Sequence, residues 1–190
     1  DGCRKALLLT GARQVGKTTV VREFAKQYRY FVEVNFVKRP IAQQAFDGDL
    51  DTKTIITNLS AMGFGPFVAG KTLVFFDEVQ ECPNARTAIK FLVEDHTYDY
   101  IESGSLLGIN YKPVPSYPVG YEEEIAMFPL DFEEFLLANG VSEQVFDLLR
   151  KSYQEETAVP DFIHQQMSRY YRQFLAVGGM PEAVQSFVNN

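Results

Sequence analysis

The chain has no tryptophan, only two cysteines and only two histidines, and each shortage closes off a class of protein. Cys3 and Cys82 lack CxxC spacing and a neighbouring histidine cluster, which argues against a disulfide framework or a zinc site and leaves two reduced thiols. His96 and His164 have no partner at metal-ligand spacing and read as surface residues. The 16 Phe and 10 Tyr read more economically as core than as a platform for stacking bases. Basic charge is also short. Against 25 Asp and Glu stand 18 Lys and Arg, a formal charge of -7 with a pI near 4.9, so no broad electrostatic footprint for nucleic acid is expected. No apolar run approaches the roughly 18 residues that a membrane span needs, and the N-terminus lacks the layout of a signal peptide. The expectation is a cytoplasmic protein without a membrane partner. The chain also lacks an initiator Met and stops within a polar stretch, so it reads as a piece of a longer protein whose further C-terminal region would meet an unknown macromolecular partner.

What is present suits a single α/β core of roughly 100 to 200 residues. The apolar fraction is 46% of 190 residues and the charged fraction 23%, ordinary values for a globular protein. Lys5 to Thr10 (KALLLT) is a short apolar run of the kind that makes a buried parallel strand, and a glycine loop follows at once. Val20, Val21, Phe24 and Tyr28 then recur at helical spacing. Further strands are expected at Phe31 to Phe36, Thr72 to Phe76, Tyr98 to Ser103 and Glu124 to Leu130. Helices are expected at Asn84 to Asp95, opened by Pro83, and from Asp131 to Gly140. Residues 40 to 62 read as loop and helix, 63 to 70 as a turn, and Lys112 to Gly120, with three prolines, as an irregular loop. Alternating strands and helices predict a doubly wound parallel sheet. Pro160 to Val177 is one long amphipathic pattern, ended by Gly178-Gly179 before a further helix at Pro181. The domain expectation is a core at 1–140 and a helical lid or linker at 141–190.

Two segments carry chemistry. Gly11, Gly16, Lys17 and Thr18 match G-x-x-x-x-G-K-S/T, the phosphate-binding P-loop. Its glycines let backbone N–H groups and a helix N-terminus face an anion. Nucleotide contact is therefore expected from Gly11, Ala12, Arg13, Gln14, Val15, Gly16, Lys17, Thr18 and Thr19. Lys17 would reach the β- and γ-phosphates of ATP, and the Thr18 hydroxyl would ligate Mg²⁺. The second segment is the apolar run that ends at Asp77-Glu78. Downstream of a P-loop, Asp77 serves as the metal-side carboxylate and Glu78 as the general base for water. Gln80 and Glu81 read as solvated, the alternative being a supporting role behind the site residues, and Cys82 reads as packing. Ser103 and Ser105 follow the fourth strand; in a sheet of order 5-1-4-3-2 a hydroxyl there faces the γ-phosphate, the alternative being a simple cap or turn.

GARQVGKTT, LVFFDEVQECPNA, ESGSLLG, YPVG followed by MFPLDFEEFL, and LAVGGMPEAV stand in the order found in a family of bacterial and archaeal AAA-type ATPases. The chain resembles that family from residue 5 to about 187. The family is similar to the archaeal ATPase and STAND branches, and its members normally carry a further C-terminal domain. The resemblance implies Walker A at Gly11 to Thr18, Walker B at Asp77 with Glu78, and a sensor-like hydroxyl at Ser103 or Ser105. In STAND relatives a Gly-x-Pro element sets its proline against adenine, and Gly179-Met180-Pro181 looks like that element, though a proline opening a helix needs no ligand to explain it. Two positions depart from the pattern: Glu102 replaces a small apolar residue, and Glu81 stands where a basic one is frequent.

The function these readings imply is ATP hydrolysis that drives a conformational switch through the helices after Gly140, with Gly178-Gly179 as hinge. The rivals are a nucleotide switch that does not hydrolyse, a P-loop kinase and a nucleic-acid loader. No arginine finger is assignable among Arg13, Arg86, Arg169 and Arg172, and a finger from a neighbouring subunit of a homo-oligomer would serve equally. No guanine-reading Asn-Lys-x-Asp motif is present.

Overall fold

Five short runs, of which the second and third are rich in β-branched and aromatic residues, form the strands β1 (Ala6–Gly11), β2 (Tyr30–Asn35), β3 (Thr72–Asp77), β4 (Asp99–Ser105) and β5 (Glu122–Met127) in the computed structural model, which describes residues 5–105 and 120–189. Their order is β2-β3-β4-β1-β5 and all four pairings are parallel, which is the expected 5-1-4-3-2 arrangement read from the other edge. The helices are α1 (Lys17–Ala25), α2 (Thr52–Ala61), α3 (Pro83–Glu94), α4 (Phe132–Ala138), α5 (Glu143–Gln154), α6 (Asp161–Val177) and α7 (Pro181–Val188). Two 3-10 turns, Pro40–Phe46 and Val79–Glu81, join them. Cys3, the Leu106-Leu107-Gly108 part of the ESGSLLG motif and residues 112–119 of the proline-rich loop lie outside the described residues.

Two compact units are distinguished, one ending at Met127 and the other beginning at Phe128. In the first, β1, β2, β3 and β4 alternate their side chains between two cores. Leu9, Phe75 and Ile101 pack on one face with Val21 and Ala25 of α1. Leu8, Val34, Phe76 and Tyr100 pack on the other with α2 and α3. Phe36, Phe46 and Phe76 meet there with ring centroids 5.5 to 6.0 Å apart, a separation that favours aromatic pairs beyond their buried area.

β5 starts and ends earlier than the expected Glu124 to Leu130. Glu122 and Glu123 fall outside the expected strand because a charged run carries no apolar alternation, yet an exposed edge strand tolerates them. Pro129 has no N–H to extend the ladder.

The second unit is helical. Asp131 caps α4 through a reciprocal pair: it accepts from the Glu134 amide at 2.8 Å while Glu134 accepts from the Asp131 amide at 2.9 Å. Phe135 is fully buried, with its ring 5.4 Å from Phe174 and 5.8 Å from Phe187. The Leu130 amide donates to the Gly179 carbonyl at 2.8 Å, and a Cβ on Gly179 would lie 2.0 Å from the Leu130 carbonyl oxygen. Helix α5 has no counterpart in the sequence expectation: its apolar positions bury only Phe146, so the pattern is thin.

Candidate functional site

The site forms where the C-terminal ends of β1, β3 and β4 meet α1. Asn35, Asp77 and Ser103 are register partners in a row across β2, β3 and β4, so all three side chains leave the sheet toward α1. Asp77 is buried and is the acceptor at the centre of this row. Ser103 donates its hydroxyl to Oδ1, and the Asn35 amide donates to Oδ2 at 2.7 Å. The Thr18 hydroxyl, from the first turn of α1, donates to Oδ2 at 3.2 Å. Ser105, two residues beyond Ser103, pairs in register with Gly11.

Between β1 and α1 the loop is shaped by backbone that L side chains seldom adopt. Gly11 has φ 152°, Gln14 φ 65° and Gly16 φ 98°. Left-handed residues on either side of Val15 curl the loop into a concavity of N–H groups suited to an anion. Gly11 is also sterically obligatory: a Cβ there would stand 2.3 Å from the Met127 carbonyl oxygen. Lys17 is buried, its ammonium donating to the carbonyls of Gly11 at 3.0 Å and Ala12 at 2.7 Å. Burial lowers its pKa below the usual lysine value; the Glu78 and Asp77 carboxylates oppose that shift and Arg13 adds to it.

Arg13, Gln14, Gly16, Lys17, Thr18, Thr19 and Glu78 line an open cleft of about 340 Å³. Ala12 is exposed beside it and Val15 is buried beneath. A larger depression of 780 Å³ lies elsewhere, between residues 48–53 and Phe91, Glu94 and Asp95. Its carboxylates, Asp49, Asp51, Glu94 and Asp95, would repel a polyphosphate, so the smaller P-loop cleft is the one whose chemistry fits a nucleotide. A hydroxyl and a carboxylate converging within 3.2 Å form a hard oxygen donor set of the kind Mg²⁺ takes when phosphates and waters complete its shell. Among the described residues no cluster of three or more His, Cys, Asp or Glu could cage a metal on its own.

The sequence profile of an AAA domain family matches residues 3–136. The chain belongs to this family of AAA-type P-loop ATPases. No curated protein sequence matches it. In three dimensions this AAA domain is similar to a Walker-type ATPase of Pyrococcus abyssi, with TM-score 0.54 and 17% identity over 98% of this chain and 63% of that one. It is similar to the Drosophila ORC bound to DNA, with TM-score 0.56 and 13% identity over 97% of this chain and 55% of that one. A third likeness is to AMPPCP-bound DnaA from Aquifex aeolicus, with TM-score 0.50 and 12% identity over 98% of this chain and 54% of that one. The chain thus spans less than two thirds of each of these structures, and at such identities the likeness is one of fold.

Within the first unit, Glu102, Arg86, His96 and Cys82 do not line the cleft. Glu102 precedes Ser103 by one residue and therefore points to the opposite face, fully buried beside Glu122 of β5 and Arg86 of α3. Arg86 is buried and donates to Glu122 at 3.0 Å, so it is an internal ion-pair partner rather than a finger. Pro181 opens α7 in the second unit, where Val184 is buried. Arg169 and Arg172 lie on α6, and His96 and His164 are exposed. The free thiol of Cys82 is buried, which pushes its pKa up to about 11. Among the described residues no helix is long and apolar enough to cross a membrane.

The sequence reading missed one polar residue and favoured the wrong surroundings for another. Asn35 gave a weak signal, a lone amide ending an alternating strand. Gln80 was expected to be solvated and is instead 4% exposed, because the 3-10 turn after Glu78 folds it inward; its amide donates to Glu78 Oε2 at 2.6 Å.

Proposed function

We propose that this AAA domain binds ATP with Mg²⁺ in the P-loop cleft and hydrolyses it to ADP and inorganic phosphate, resetting a conformational switch. The observation that carries the reading is the convergence of Lys17, Thr18 and Glu78 on one cleft, with Asp77 held behind Thr18 by three donors. The loop N–H groups and Lys17 bind and orient the phosphates, and Thr18 with Asp77 would hold the cation. Mg²⁺, when bound, neutralises charge that develops on the phosphate oxygens. Glu78 takes a proton from the attacking water as the new P–O bond forms and the bond to the ADP oxygen breaks. Ser103 fixes Asp77 and supplies a hydroxyl at the strand edge, with Ser105 beyond it at the end of β4 next to Gly11. Pro181 is proposed as an adenine contact, and the helices beyond the core as the moving part that passes the signal to a macromolecular partner outside this chain. Arg13, in the cleft, is available to phosphate, and a second subunit is a natural source of a finger.

The test is Mg²⁺-dependent phosphate release from ATP by the parent chain, Glu78→Gln and Lys17→Ala. Turnover lost in both variants, with nucleotide retained by Glu78→Gln, is the expected result. Tight binding without turnover in the parent would replace hydrolysis by a binding switch, and absence of binding would overturn the reading.

A further inference from the structure

Gln80 is a buried amide with one satisfied end. Its N–H donates to Glu78 Oε2 at 2.6 Å, while its carbonyl Oε1 is buried with no hydrogen-bond partner. An apolar side chain of similar length would fill the same space without an orphaned acceptor, so packing alone does not account for a glutamine here. The backbone around the pair is equally particular. Glu78 sits in the left-handed region at φ 58°, and the following turn closes through Glu81 N–H to the Glu78 carbonyl at 2.9 Å and Cys82 N–H to the Val79 carbonyl at 3.0 Å. Val79 is fully buried and pins that turn. A strained backbone on a chemically active residue, held by a tight turn, is a recurrent mark of a functional position.

We propose that Gln80 is a positioning residue for Glu78: its amide clamps one carboxylate oxygen from the protein side, leaving the other for the attacking water. The arrangement follows the logic of a base oriented by a third group, with an amide as the orienter. The proposal rests on the reading of Glu78 as general base.

The experiment compares Gln80→Met and Gln80→Glu with the parent chain. Methionine keeps the volume and removes both amide atoms, and glutamate keeps the length without an N–H donor. Single-turnover ATP hydrolysis is expected to slow by about 10- to 100-fold in both, a part of what a general base contributes, with KM changed by less than about 2-fold. The thermal midpoint of Gln80→Met should change little, since relief of the orphaned carbonyl offsets loss of the bond to the Glu78 carboxylate; a purely structural role predicts a clear fall. A crystal structure of Gln80→Met should show the Glu78 carboxylate displaced. Unchanged turnover, or turnover and thermal midpoint falling together, overturns the proposal. If Glu78→Gln turns over like the parent, Glu78 is not the base; the crystal structure then still decides the clamp, which fails if the Glu78 carboxylate keeps its place.

Discussion

Replacing Asn35 by leucine tests the claim that Asp77 is held in place rather than merely located at a strand end. The side chain does two jobs. Its amide donates to Asp77 Oδ2 at 2.7 Å in a buried position, and its oxygen accepts from the amides of Val37 at 3.1 Å and Lys38 at 2.7 Å. Leucine removes the first bond, which as a bond to a charged acceptor contributes about 1.5–3 kcal/mol. The two turn amides belong to exposed residues and regain water, so their loss adds roughly 1 kcal/mol together, part of which the extra apolar burial offsets. The expected loss is about 2–4 kcal/mol, seen by far-ultraviolet circular dichroism as a lower urea midpoint with unchanged slope. Asn35→Asp separates the two jobs: it keeps the acceptor for the turn but sets a second carboxylate against Asp77, and should lose at least as much. Both variants should also weaken nucleotide binding in the presence of Mg²⁺. Changes below about 0.5 kcal/mol in both would refute the reasoning, because Asp77 would then be satisfied without Asn35.

Gly11→Ala should be more damaging than its one methyl suggests: a Cβ 2.3 Å from a backbone oxygen, at φ 152°, forces β1 away from β5. A stability loss of about 3 kcal/mol or more and loss of nucleotide binding are expected, and a normal thermal midpoint would refute it. Glu102 gives a pH prediction. Burial raises its pKa well above the ordinary value, the neighbouring Glu122 adds to that and Arg86 opposes it. The folded state therefore keeps a proton that the unfolded chain gives up above the usual carboxylate range. Stability then falls as pH rises through that window, by up to about 1.4 kcal/mol per unit. Glu102→Gln, a permanently neutral mimic, should flatten the profile above the usual carboxylate range and gain on the parent as pH rises. Parallel profiles for parent and variant would remove Glu102 as the cause.

The strands and the P-loop were legible because both are written in local patterns, whereas the sheet order was expected from the likeness to P-loop ATPases. KALLLT followed by GARQVGKT fixes a buried strand, a loop and a helix start within a few residues, and FFDE ends a strand whose six residues are all buried. What was not legible depends on pairing between distant segments. Nothing local says that Asn35 will be level with Asp77, since register across parallel strands is set by the whole sheet. Gln80 read as solvated because glutamine usually is, and only the left-handed turn at Glu78 reverses that. Glu102 looked like a departure within the site; the period of two along β4 carries it to the opposite core. The glutamates of β5 hid where that strand begins, since hydrophobic alternation is absent where both faces are largely exposed.

The contact between Leu130 and Gly179 ties together two stretches that lie far apart in the chain, and it bears on where this protein can be divided. The family profile ends at residue 136, within α4, whereas the partner of the Leu130 amide and the rings that cover Phe135 come from residues 174 to 187. A chain cut at the profile's end would keep the P-loop and the sheet but leave a shortened α4 with its apolar side uncovered. Such a truncation invites aggregation and would report on the exposed Phe135 rather than on the P-loop. The smallest piece that can be asked a clean question about the nucleotide site either stops at Met127 or continues through α7.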